Sequence, residues 1–149
     1  MLRRFAFLLC AAICSAVSAQ EPPADPRLAP VKQFIEKYFR TWSNVEMDAY
    51  ADGFLPEATI QFIDPKGAVQ TQTAKVFLSE QRRYQSQRPA KEAPLSIDIR
   101  FEEKLARAVV FWQLDDAAGR SKTGYDHFTL IEQNGRWKII NLVFYEAAK

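Results

Sequence analysis

Cysteine is nearly absent from this 149-residue chain: Cys10 and Cys14 are its two, and both lie in the first fourteen residues. Beyond them no disulfide and no thiolate metal site can form. Histidine occurs once, as His127, so a transition-metal centre has no ligand set to draw on. Five scattered glycines leave no glycine-rich phosphate loop, and no serine-nucleophile motif is present. Net charge is also scarce. The formal value is +2, and Arg3 and Arg4 account for all of it. Without the N-terminal segment the chain has eighteen basic and eighteen acidic residues, which excludes the basic footprint of a nucleic-acid-binding domain.

The N-terminal segment has its own pattern. Arg3 and Arg4 precede an apolar run from Phe5 to Ala16, and Val17-Ser18-Ala19 supplies small residues before Gln20. The run is too short to span a bilayer. Residues 1–19 therefore read as a secretory signal peptide, and the protein is expected to be exported, to periplasm or medium, with no membrane attachment after cleavage. Residues 20–30 carry Pro22, Pro23, Pro26 and Pro30 and read as a flexible leader. Residues 31–149 are long enough for one domain with its own core, but not for two.

Along that domain, Val31 to Ser43 has helical period, with Val31, Phe34, Ile35, Tyr38, Phe39 and Trp42 on one stripe. Glu46 to Leu55 reads as a short second helix ended by Pro56, and Ala58 to Ile63 as a strand. Asp64-Pro65-Lys66-Gly67 is a turn. Thr73 is placed to cap a third helix from Ala74 to Tyr84, and Arg88 to Pro94 reads as a loop. Leu95 to Phe101 and Leu105 to Leu114 alternate as strands. Two further alternating runs, Lys122 to Ile131 and Trp137 to Tyr145, flank Asn134-Gly135, a strong hairpin signal. The order helix, helix, strand, helix and then four strands predicts an α+β domain with a curved, mostly antiparallel sheet.

The last hairpin carries the chemistry. Alternation puts Gly124, Asp126, Phe128 and Leu130 on one face, with Ile140, Leu142 and Phe144 on one face of the partner strand. If these faces point inward, Asp126 is a carboxyl among large apolar groups, where desolvation raises its pKa. His127 then points the other way, so the two neighbours form no dyad.

These residues resemble the NTF2-like superfamily, which includes the SnoaL-like proteins and the ketosteroid isomerases. The resemblance rests on FIEKYFRTW, DAYADGFLPEATI, YDHFTL and NGRWKIINLVFYE, and it spans most of Val31 to Glu146. It implies a cone: a bent sheet wrapped by three N-terminal helices, with a pocket in the open end. It also implies a homodimer through the outer sheet face. The ketosteroid isomerase branch implies more. There, a tyrosine of the first helix and an acid in an Asp-His-Phe strand stabilise an enolate oxygen, and a carboxylate beyond the Ala-Thr strand moves the proton. Tyr38 and Asp126 are similar in position. Asp64 is similar but stands two residues further along than expected.

Each candidate also has a plainer reading. Tyr38 either donates into the pocket or fills the helix-sheet interface. Asp126 is either a pocket acid or a strand-end carboxyl paired with a donor. Asp64 is either a general base or an Asp-Pro turn residue. His127 belongs to the structure or to an interface, and Arg82, Arg83, Arg88 and Lys91 to a solvated helix end. Two function classes follow. One is an exported pocket protein binding a small apolar molecule or a protein partner, with Tyr38, Trp42, Phe54, Phe128, Leu130, Ile140, Leu142 and Phe144 as lining and Asp126 as anchor. The other is an isomerase, dehydratase or hydrolase of the SnoaL type, with Asp64, Tyr38 and Asp126 moving a proton alpha to a carbonyl. Neither requires a cofactor, a metal, a nucleic acid or a membrane.

Overall fold

The computed structural model describes residues 25–148, so the expected signal segment, residues 1–19, and residues 20–24 of the leader lie outside the described residues. Helix α1 (Leu28–Ser43) is followed by α2 (Met47–Ala51), β1 (Phe54–Ile63), β2 (Val69–Thr73), α3 (Ala74–Gln87), β3 (Ala90–Glu102), β4 (Leu105–Asp116), β5 (Ser121–Gln133) and β6 (Arg136–Glu146). The six strands form one sheet in the order β2-β1-β6-β5-β4-β3, antiparallel except for β1 against β6. The α+β class is as the sequence implies, and α3 follows the first strand as its pattern places it, so the three helices are not all N-terminal to the sheet as the resemblance implies.

The helices cover one face. The stripe of α1 buries Val31, Ile35, Tyr38, Phe39 and Trp42 against the sheet. Helix α1 begins at Leu28, three residues before the expected start, because Pro30 falls in the first turn, where its missing N–H goes unused. Thr73 caps α3 by accepting from the Val76 N–H. Along β5, Gly124, Asp126, Phe128 and Leu130 are all buried, and Tyr125, His127 and Thr129 on the other face are half-buried. The hairpin closes at Asn134 and Gly135, whose φ of 53° and 71° are those of a two-residue turn matched to strand twist.

Four expectations are corrected. The second helix stops at Ala51, and Phe54 and Leu55 already belong to β1. Pro56 sits in that strand without cost, because the β1–β6 pairing is interrupted between Phe54 and Thr59. Strand β2 was not anticipated: VQTQT is polar and mostly exposed at the sheet edge, so it carries little apolar alternation. The segment Arg88 to Pro94 is not a loop from Ala90 on. It opens β3, and the pairing skips a residue just after Pro94, where the strand tolerates a proline. Finally, Ile140 does not share a face with Leu142. A bulge pairs Leu130 with Ile139 and Thr129 with Asn141, so Ile139 is fully buried and Ile140 is displaced to a half-buried position.

Candidate functional site

A cavity of about 200 Å³ lies between the helices and the inner face of the sheet. Helix α1 contributes Tyr38 and Trp42, α2 Tyr50, and α3 Phe77, Gln81 and Tyr84. The sheet contributes Phe62, Glu92, Trp112, Leu114, Asp126 and Phe144, with Lys122 and Glu146 also on its wall. A dry cavity of roughly 150 Å³ holds benzene, so this one suits a single substituted ring.

Asp126 is 4% exposed. Its Oδ1 accepts from the Trp112 indole N–H at 2.8 Å. The indole reaches that oxygen because it lies over Gly124, which pairs with Trp112 across β4 and β5. A Cβ on Gly124 would stand 2.2 Å from Trp112 Cζ2 and 2.3 Å from the Tyr145 carbonyl oxygen. Among the described residues, Oδ2 of Asp126 has no hydrogen-bond partner, and since no fully buried polar side-chain atom is left unpartnered, it is open to the cavity. Burial pushes the Asp126 pKa up to about 7, against the restraint of the indole bond.

Glu92 faces the same cavity from β3, opposite Leu114. Its backbone is held on both sides by Ser43 at the end of α1: the Glu92 N–H donates to Ser43 Oγ at 2.8 Å, and that hydroxyl donates to the Glu92 carbonyl at 2.8 Å. Buried Gln85 secures the strand start through Ala90 and Trp42. The Glu92 carboxyl makes no hydrogen bond among the described residues. Burial, then the nearby charge of Asp126, holds its pKa well above the usual range.

The two tyrosines form a pair, with Tyr50 donating to the Tyr38 oxygen at 2.9 Å. One hydroxyl hydrogen is used between them and the other is left for a guest. Burial raises both phenol pKa values well above 10, so both stay protonated. At the rim, Lys122 Nζ meets Glu146 Oε1 at 2.6 Å.

Tyr38, Trp42, Asp126 and Phe144 are thus brought together around one cavity. Phe54, Phe128, Leu130 and Leu142 are buried in the core and lie outside the cavity lining; Phe128 packs edge-on against Tyr38 at 5.0 Å between ring centres. Ile140 is absent from the lining. Asp64 is elsewhere: it sits on the β1–β2 turn, and its Oδ1 accepts the N–H groups of Lys66 and Ala68 at 2.8 and 2.9 Å. Its carboxyl closes an Asx turn and does not face Tyr38. Glu92 is the residue that sequence reading missed. A signal was present: β4 runs twelve residues from a tight turn, and its hairpin partner must run back as far, into the supposed loop.

The tyrosine pair also walls a second cavity of about 300 Å³, on the far side of α1. There Lys138, 8% exposed, donates to the Asp52 carbonyl and, at 3.0 Å, to Asp52 Oδ1, while Arg136 reaches Oδ2 at 3.4 Å. Bonding to Lys138 lowers the Asp52 pKa. Among the described residues, no group of three or more metal-ligating side chains converges, and no helix is long and apolar enough to cross a membrane.

A helix-covered sheet with a pocket on its inner face is the architecture of the NTF2-like superfamily. Within it, the chain belongs to the family described as "Putative lumazine-binding", whose sequence model matches residues 26–145. Solved structures agree on the fold. A variant of Rv3472, a protein of unknown function from Mycobacterium tuberculosis, is similar at TM-score 0.70 and 14% identity over 83% of this chain and 73% of that one. An NTF2-like protein of unknown function from Shewanella baltica is similar at 0.61 and 17% identity, over 83% and 95%. A protein with a cystatin-like fold from Caulobacter vibrioides is similar at 0.66 and 17%, over 81% and 89%. No curated protein matches the chain.

Proposed function

We propose that this protein binds a small molecule of about one ring in the cavity between α1, α3 and the inner sheet face, the pocket of an NTF2-like cone wrapped by its helices. One observation carries the reading. Asp126 is almost wholly buried, yet only one of its oxygens has a donor, and the other is free at a cavity of ligand size. That oxygen opens onto the cavity, where a guest can reach it and supply the missing donor. The family description is in keeping with a small heterocyclic guest.

The proton-transfer reading of the same fold needs a base within the cavity. Asp64 is occupied by its own turn and Glu146 by Lys122, so among the carboxyls on the wall Glu92 and Asp126 are the two without a cation partner. Binding is the simpler reading because it needs no third group.

Two further features belong to this proposal. Export rests on the Arg3-Arg4 and apolar pattern of residues 1–19. A homodimer would cover the outer face of the sheet, where Phe111, Tyr125, His127 and Tyr145 form a continuous half-buried aromatic row. Sedimentation of the purified protein tests the second: a monomer at tens of micromolar removes it. The binding reading is tested by thermal shift against one-ring compounds, wild type beside Asp126→Asn. A ligand that binds only the folded state raises Tm. Stabilisation that is reduced by the substitution supports the site, and a panel with no shift at all speaks against it.

A further inference from the structure

Resting on that reading, we propose that the guest is a small organic cation, a single ring bearing a protonated amine or amidine whose N–H groups bridge Asp126 Oδ2 and the Glu92 carboxyl. Three observations lead to this class. First, two carboxyls from different strands, β3 and β5, face one cavity of about 200 Å³, and between them only one oxygen has a donor among the described residues. Second, neither acid has a cation as partner. Lys122, the one cation on the wall, is occupied by Glu146 at 2.6 Å. Third, the remaining wall is aromatic. Trp42 and Tyr84 are stacked at 6.0 Å, and Tyr38, Tyr50 and Phe77 close the other sides. Aromatic faces attract cations through their quadrupole, most strongly where water is excluded.

The empty site sets two carboxyls at one cavity, Asp126 buried and Glu92 half-buried, an arrangement that favours keeping a proton on the pair. A bound cation replaces that proton. The groups facing the pair are Tyr38 from α1, Tyr50 from α2, Tyr84 from α3, Lys122 from β5 and Glu146 from β6. Tyr38 and Tyr50 remain protonated, and the Lys122–Glu146 pair is neutral as a unit. Binding should therefore strengthen as pH rises through 7 and should release protons to the buffer. A neutral or anionic guest of the same shape prefers the protonated pair and shows the opposite trend.

The test is titration of the purified protein with benzamidine, benzylamine and neutral benzyl alcohol at pH 5.5, 7 and 8.5. It is followed by the indole N–H resonance of Trp112, which sits on Asp126, and by calorimetry in two buffers of different ionisation heat. We expect benzamidine to bind about tenfold more tightly than benzyl alcohol at pH 8.5, with the ratio shrinking at pH 5.5. Proton release should accompany binding at pH 7. Glu92→Gln and Asp126→Asn keep the shape and the indole acceptor, and each should narrow the ratio without lowering Tm at pH 8.5. Benzyl alcohol binding as well as the amines would overturn the cation assignment and leave the pocket reading standing. Binding of none of the three would overturn both.

Discussion

Two polar clusters, each with one buried charged side chain, lie on either side of the Tyr38–Tyr50 pair, and the protein treats them in opposite ways. On one side the Lys138 ammonium is matched by the Asp52 carboxylate and carbonyl, with Arg136 adding a second cation. Lys138, Arg136 and Asp52 are partnered with one another there, and the Asp52 side chain is half open to water. On the other side Asp126 and Glu92 share a cavity with one indole N–H between them. Every fully buried side-chain polar atom among the described residues has a partner, and the free oxygens of this pair open onto the cavity, where a guest can reach them. The matched cluster is committed to the fold; the open carboxyl pair is available for recognition.

The comparison can be broken most forcefully at Gly124. Gly124→Ala puts a methyl where the Trp112 ring and the Tyr145 carbonyl stand, and displaces the one donor that Asp126 has. Overpacking of that kind should cost about 3 kcal/mol or more. Denaturant unfolding would measure it, and the Trp112 indole resonance should move at the same time.

Charge removal comes next. Asp126 has its pKa raised to about 7 in the folded chain, from 3.8. From about pH 4 to 7 the folded protein keeps a proton that the unfolded chain has released, so wild-type stability falls as pH rises through this window and levels off above it. Glu92 acts with the same sign. Asp126→Asn should therefore be more stable than wild type at pH 8, by about 2 to 4 kcal/mol, with the gap closing near pH 4. An equal Tm at both pH values would show that the site is wetter than its burial suggests.

The matched side should respond in reverse and more weakly. Asp52 has a lowered pKa, so its contribution is present above the usual carboxylate range and is lost as pH falls. Lys138→Met should cost about 1 kcal/mol at pH 7, because the half-exposed Asp52 side chain can rehydrate. Benzamidine affinity should be unchanged, which sharpens the separation of the two sides. Smallest of all, Asp64→Ala should cost about 1 kcal/mol or less through its turn and leave guest binding as it was.

Much of this was legible in the sequence where local signals agree. The Asn134-Gly135 turn, the α1 stripe and the inward face of β5 follow from turn chemistry and periodicity, and they suffice to put Asp126 among apolar groups. Glu92 was hidden because Pro94 reads as a breaker and only the length of β4 shows that its partner strand continues past it. Ile140 was misplaced because one bulge reverses the faces of the residues beyond it. Asp64 illustrates the limit of resemblance. The Asp-Pro pair sits near the family's base position, but its two backbone hydrogen bonds commit the carboxyl to the turn.

The most direct test is a carbon-13 NMR titration of the side-chain carboxyls, with Asp52 as the internal control. The account predicts Asp126 titrating near 7, Glu92 well above the usual glutamate range and Asp52 below the ordinary aspartate value. Asp126 and Glu92 both titrating near 4, like exposed acids, would contradict the claim that an unpaired carboxyl pair is built into the cavity.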